Sequence, residues 1–142
     1  MKLQVNTMLA LCSVMEFAAD PQRHIPAAEI AEKYGVSAHH LAKVLAELTR
    51  AGVVESVRGV GGGYRFAANA RRLTLMDLIS LFEDVAPAHR REGDEGTPVD
   101  RAIAAILGEI DQMARATFSS ITIATMLQLV QRQQQQRPRR GS

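Results

Sequence analysis

The sequence predicts a mainly α-helical fold with one small β-hairpin, and three observations carry that expectation. Apolar residues recur at three- and four-residue spacing through most of the chain. A glycine-rich run, Gly59-Val60-Gly61-Gly62-Gly63, separates two short segments of strand character. Beyond residue 98 a long apolar stripe returns, longer than a small domain of this kind can cover by itself.

The elements follow in order. Asn6 is a reasonable N-cap, and Met8, Leu11, Cys12, Met15 and Ala19 form one stripe of an amphipathic helix that Asp20-Pro21 ends. Pro26 starts a short second helix, with Glu29 near its positive end and Ala27, Ile30 and Ala31 inward; Tyr34-Gly35 stops it. Ser37 caps a third helix whose Leu41, Val44, Leu45 and Leu48 face the core, and Gly52 is placed to end it in a left-handed conformation. Two short helices joined by a glycine-containing turn make a helix-turn-helix. Val53 to Arg58 then reads as a strand, Gly59 to Gly63 as a tight turn and Tyr64 to Ala67 as the returning strand. Together these make a winged helix-turn-helix. Thr74 and Asp77 form a capping box opening a fourth helix, with Leu75, Leu78, Ile79 and Phe82 inward and its end near Val85. Residues 86 to 97 read as an exposed polar loop. From Thr97-Pro98 to about Phe118, Ile103, Ile106, Leu107, Ile110, Met113, Ala114 and Thr117 line a dimerisation helix. Residues 121 to 130 form a last helix, and Gln131 to Ser142 a disordered Gln/Arg tail. The expected organisation is a DNA-binding unit over 1–85, a loop over 86–97, dimerisation and following helices over 98–130, and the tail.

Composition narrows the function. Of 142 residues, 46% are hydrophobic and 23% charged, a balance that supports a buried core. No apolar run approaches the roughly 18 residues a bilayer span needs, and no signal peptide is visible, so a cytoplasmic protein with no membrane partner is expected. One cysteine, Cys12, and 4 histidines exclude a disulfide scaffold and a zinc finger. The formal net charge is only +2, but it is unevenly placed. In 37–72, Lys43, Arg50, Arg58, Arg65, Arg71 and Arg72 face only Glu47 and Glu55, while 73–130 holds four arginines against nine carboxylates. One basic segment in an acidic body suits a local surface that meets phosphate.

The runs Ile30 to Ser37, Leu41 to Leu45 with Leu48, Ala51 to Val54 and, above all, Val57-Arg58-Gly59-Val60-Gly61-Gly62-Gly63-Tyr64 resemble the Rrf-type winged-helix transcription regulators, from Met1 to about Val130. The resemblance implies a homodimer on palindromic double-stranded DNA, and in many members a redox signal read through a bound iron-sulfur cluster. It implies DNA contacts from Ser37, Ala38, His39 and His40 and from Ser56, Arg58 and Gly59. Some members carry a base-reading acid where this chain has Ala42, so their operator does not carry over. Cluster-binding members hold three cysteines in the loop matching 86–97, which here has none. No cofactor and no metal is therefore expected. Some members take a further ligand from the first helix, where Cys12 lies.

Physical reasoning gives the same residues roles of their own. A helix N-terminus offers unpaired N–H groups and a positive dipole to phosphate, while Ser37, His39 and His40 reach base edges or phosphate oxygens. Lys43, one turn on, suits a phosphate. Glycines 59, 61, 62 and 63 let the wing backbone take positive φ and approach a duplex, with Arg58 free to enter the minor groove. A nucleotide-binding phosphate loop is excluded, because Gly61-Gly62-Gly63 leads into a strand and no Gly-Lys-Ser/Thr follows. His89, Glu92, Asp94 and Glu95 read as a solvated charged loop rather than a cation site. Cys12 reads as a small hydrophobe, with a thiol sensor as the sharper alternative. The expected function is a dimeric, sequence-specific transcriptional repressor responding to a redox, metal or small-molecule signal. The alternatives are an architectural nucleic-acid-binding protein, or a metal sensor using Cys12 with non-cysteine ligands. No catalytic constellation is present in the sequence, so no enzyme is expected.

Overall fold

The computed structural model describes residues 3–83 and 96–136. Six helices and one two-stranded sheet follow the order α1 (Val5–Ala19), α2 (Ala27–Tyr34), α3 (Ala38–Arg50), β1 (Val54–Val57), β2 (Gly63–Phe66), α4 (Leu75–Phe82), α5 (Pro98–Ser120) and α6 (Ile123–Gln136). Among the described residues the fold is thus mainly α with one hairpin, arranged as a winged helix-turn-helix.

α1 is the central element, packed against α3, α4, α6 and β2. Its core face is not the expected one. Leu9, Ala10, Val14, Phe17 and Ala18 are buried, whereas Met8 and Ala19 are exposed and Leu11, Cys12 and Met15 half-buried. The helix is apolar nearly all round, so spacing alone fits several stripes and packing chooses among them. Its N-cap is Gln4, with no side-chain cap bond; Asn6 lies one residue inside the helix, where its side chain is committed elsewhere.

α2 ends at Gly35, whose φ of 64° places it in the left-handed region that closes helices with least strain. Ser37 caps α3 by accepting from the His40 N–H at 3.0 Å, and Leu41, Val44, Leu45 and Leu48 are buried as their spacing predicts. α4 carries the expected capping box, Thr74 with Asp77, but ends at Phe82 rather than near Val85, which lies outside the described residues. A second capping box, Thr97 with Asp100, starts α5 on Pro98. α6 is anchored at its start: the Ile123 N–H donates to Leu73 at 2.9 Å, the Ala124 N–H to Ala70 at 2.8 Å, and Ile123 is fully buried.

Two expectations about the C-terminal third need adjustment. α5 runs to Ser120, two residues beyond Phe118. α6 continues to Gln136, so Gln131 to Gln136 are helical rather than tail; glutamine and arginine are good helix formers, and the ordered first turns supply the nucleus. Residues 137–142, like most of the 86–97 loop with His89, Glu92, Asp94 and Glu95, lie outside the described residues. α5, about 35 Å long, contains no buried residue. Ile103, Ile106, Leu107, Ile110 and Met113 are between 46% and 62% exposed along its length. No helix among the described residues is long and apolar enough to cross a membrane.

Candidate nucleic-acid interface

The candidate interface is built from two structures that the core holds rigidly. α3 is pinned by its four buried aliphatic side chains, which leaves Ser37, Ala38, His39, Ala42 and Lys43 exposed and His40 half-buried on the outward side of its first turns. The Ser37 hydroxyl, already accepting from the His40 N–H, retains its own proton to donate to a base or phosphate oxygen. The His40 ring meets α1, with Nε2 at 2.5 Å from Asn6 Oδ1. Lys43 and Asn6 line one open groove of about 320 Å³, together with Arg50 and Phe82.

The wing is the β1–β2 hairpin, with Val54 opposite Phe66, Glu55 opposite Arg65, Ser56 opposite Tyr64 and Val57 opposite Gly63. Ile25, before α2, joins as a third rung: its N–H donates to the Tyr64 carbonyl at 2.8 Å and its carbonyl accepts from the Tyr64 N–H at 2.9 Å. Tyr64 packs on Phe17 of α1 with ring centroids 6.2 Å apart. The wing is therefore stitched to the core, not hinged on it.

The four glycines split into two kinds, a division the sequence does not reveal. Gly59 (φ 106°) and Gly61 (φ 76°) have positive φ and open space around them, so they serve the turn that presents Arg58. At Gly62 and Gly63 a side chain would collide with backbone. A Cβ at Gly63 would lie 2.6 Å from the Ile25 carbonyl, and one at Gly62 would lie 2.4 Å from the Val57 carbonyl oxygen. Their role is close packing within the wing; Gly59, Gly61 and Gly63 (φ 158°) take the expected positive φ, and Gly62 alone does not. Ser56 is exposed but shares the strand face of Val54 and Tyr64 rather than the turn.

The charges sort in a similar way. Arg65 pairs with Glu55 across the hairpin, and Arg50 with Glu47 at 2.6 Å along α3. Among the described residues Lys43 and Arg58 have no ion-pair partner, and both are exposed. They are free to meet phosphate, as are the exposed Arg71 and Arg72 that follow the wing.

The sequence matches the family described as "Rrf2: Iron-dependent Transcriptional regulator" over residues 3–129. The chain belongs to the Rrf2 family. It is 45% identical over 130 residues to the HTH-type transcriptional regulator BadM of Rhodopseudomonas palustris, covering 92% of this chain and 83% of that one. Among solved structures, the fold matches CymR, the global cysteine regulator of B. subtilis, with a TM-score of 0.77 at 23% identity over 91% of this chain and 98% of that one. It also matches T. potens IscR, with a TM-score of 0.76 at 24% identity over 94% and 91%. As an Rrf2 protein the chain is a DNA-binding transcriptional regulator and not an enzyme.

Iron stands in the family's description, and the donors present here do not fit a thiolate-held cluster. The chain has a single cysteine, whereas such clusters take four thiolates, or two thiolates with two histidines. Burial and the nearby Glu16 carboxylate push the Cys12 thiol above its ordinary value, which disfavours the thiolate a metal or an oxidant needs. Burial tends to raise Glu16 as well, but hydrogen bonds from Lys33 and Tyr34, each at 2.6 Å, outweigh it and hold that carboxyl below its ordinary value. Among the described residues no three His, Cys, Asp or Glu side chains gather as a metal-ligating group.

Proposed function

We propose that this Rrf2 regulator is a homodimer that represses transcription from palindromic operators, reads them with the first turn of α3 and the Arg58 wing, and does so without an iron-sulfur cluster. The observation that carries this reading is the joint exposure of the Ser37-capped turn and the Arg58 turn on elements locked to one core. Ser37, His39 and His40 meet base edges, Lys43 meets phosphate, and Arg58 enters the minor groove, with the Gly59 backbone close to the strand. The exposed α5 stripe supports pairing by a twofold axis, which would set two recognition helices about one DNA turn, ~34 Å, apart. Signal input acts through the half-buried Leu11-Cys12-Met15 face of α1: a small molecule bound there changes the angle between the two halves of the dimer and so the operator fit.

The test is retention of genomic fragments by the purified protein, followed by sequencing, with metal chelator present throughout. The reading expects enrichment of a palindromic motif that survives chelator. Enrichment that needs iron, or no sequence preference at all, overturns it; the second result points to an architectural DNA protein. A peroxide arm with wild type and Cys12→Ser distinguishes the inputs: unchanged wild-type affinity rules out the thiol and leaves a small molecule or a constitutive repressor, and a loss absent from Cys12→Ser assigns the signal to the thiol.

A further inference from the structure

The contact between Asn6 and His40 joins the first turn of α1 to the first turn of α3, residues 34 apart in the chain. Asparagine is a weak helix former inside a helix, and here it neither caps α1 nor pairs within it. Its Oδ1 lies 2.5 Å from His40 Nε2, while the His40 backbone N–H is held by Ser37 Oγ at 3.0 Å. Backbone and ring of His40 are thus both fixed from outside the residue.

We propose that Asn6 is a positioning residue for DNA reading, one that sets the tautomer of His40. Asn6 Oδ1 accepts from Nε2–H, so the neutral ring keeps its proton on Nε2 and leaves Nδ1 as an acceptor. An acceptor finds no partner on phosphate oxygens, which only accept. In the major groove it fits the exposed amino hydrogens of adenine or cytosine and not guanine O6 or N7. His40 therefore reads a base rather than the backbone, and Lys43, lining the same groove as Asn6, supplies the neighbouring phosphate contact. This inference rests on the DNA-reading function proposed above and narrows it to one preference at one position.

The test compares wild type, Asn6→Ala, Asn6→Asp, His40→Ala and the double variant Asn6→Ala/His40→Ala. Two quantities are read: the ratio of affinities for the selected operator and a scrambled duplex, and the His40 ring nitrogen shifts by NMR. Asn6→Ala is expected to lower the ratio roughly 3- to 10-fold, the scale of one neutral hydrogen bond, and to mix the ring tautomers. Asn6→Asp keeps an acceptor at Nε2, but its carboxylate favours the doubly protonated ring, so Nδ1 becomes a donor and the ratio should fall as in Asn6→Ala, with both ring nitrogens protonated in the spectrum. The double variant should be no worse than His40→Ala. Losses that multiply in the double variant, a wild-type ring already mixed, or equal falls on operator and scrambled DNA would each overturn the inference. Should Asn6→Ala fold poorly, the wild-type ring spectrum and Asn6→Asp still decide. A wild type without sequence preference refutes the functional reading itself, whereas a preference that Asn6→Ala leaves intact refutes only the role of Asn6.

Discussion

Leu107→Ala probes the dimer directly, because Leu107 is 59% exposed in the single chain and sits mid-way along α5, an element outside α3 and the wing. Full burial of a leucine stabilises by about 1.5–3 kcal/mol, so covering the exposed fraction contributes roughly 0.9–1.8 kcal/mol per protomer. A twofold axis uses the residue twice, giving roughly 1.8–3.5 kcal/mol and a dissociation constant raised roughly 20- to 400-fold. In the isolated chain the same truncation removes little packing, so the fold should persist. Sedimentation equilibrium over a concentration series, with circular dichroism as the control for folding, measures both. An unchanged dissociation constant, or a wild type that is monomeric at micromolar concentration, would refute the reasoning that α5 is the partner surface.

Further expectations concern the wing, the ionic cluster and the thiol. Gly63→Ala should lower stability by about 1–3 kcal/mol, because its Cβ collides with the Ile25 backbone and breaks the rung to Tyr64; Gly61→Ala, in open space, should cost only about 1–2 kcal/mol of backbone strain. Chemical denaturation of the two variants, with the Tyr64–Ile25 amide protection as a local readout lost only in Gly63→Ala, checks the distinction. The depressed Glu16 carboxyl contributes stability that is fully present above the unfolded carboxyl's value of about 4.3 and is lost as pH falls through the lower folded value. The melting difference between wild type and Glu16→Gln should therefore be largest near neutral pH and close in acid. Cys12, raised by burial and Glu16, should alkylate more slowly than a free thiol at pH 7, with a rate still climbing above pH 9; a fast, pH-flat reaction would show an activated thiolate.

Much of this molecule is legible in its sequence because local chemistry and tertiary packing agree. Ser37, Thr74 and Thr97 cap the helices they precede, Gly35 closes α2, and Leu41, Val44, Leu45 and Leu48 bury the face their spacing indicates. The class of the protein follows from those signals and the wing. What is not legible depends on contacts between distant segments. α1 is apolar around most of its circumference, so its periodicity could not choose Val14 and Phe17 over Leu11 and Met15. Asn6 has the composition of a cap, yet its partner is His40 on another helix. Gly62 and Gly63 look like their neighbours Gly59 and Gly61, and only the approach of Val57 and Ile25 gives them a different role. Gln131 to Gln136 have a low-complexity composition, but a helix already nucleated at Ile123 carries them along.

The central claim is that the first turn of α3 and the Arg58 wing together read DNA sequence. It is tested most directly by the ratio of operator to scrambled-duplex affinity, measured across a salt series for wild type, Arg58→Ala and Lys43→Ala. The account predicts a wild-type ratio of about a thousand or more, a ratio lowered in Arg58→Ala by roughly 5- to 150-fold, on the order of 1–3 kcal/mol, and in Lys43→Ala a similar ratio with weaker binding to both duplexes and a salt slope reduced by about one ion. An Arg58→Ala protein that folds normally and keeps the wild-type ratio would contradict it.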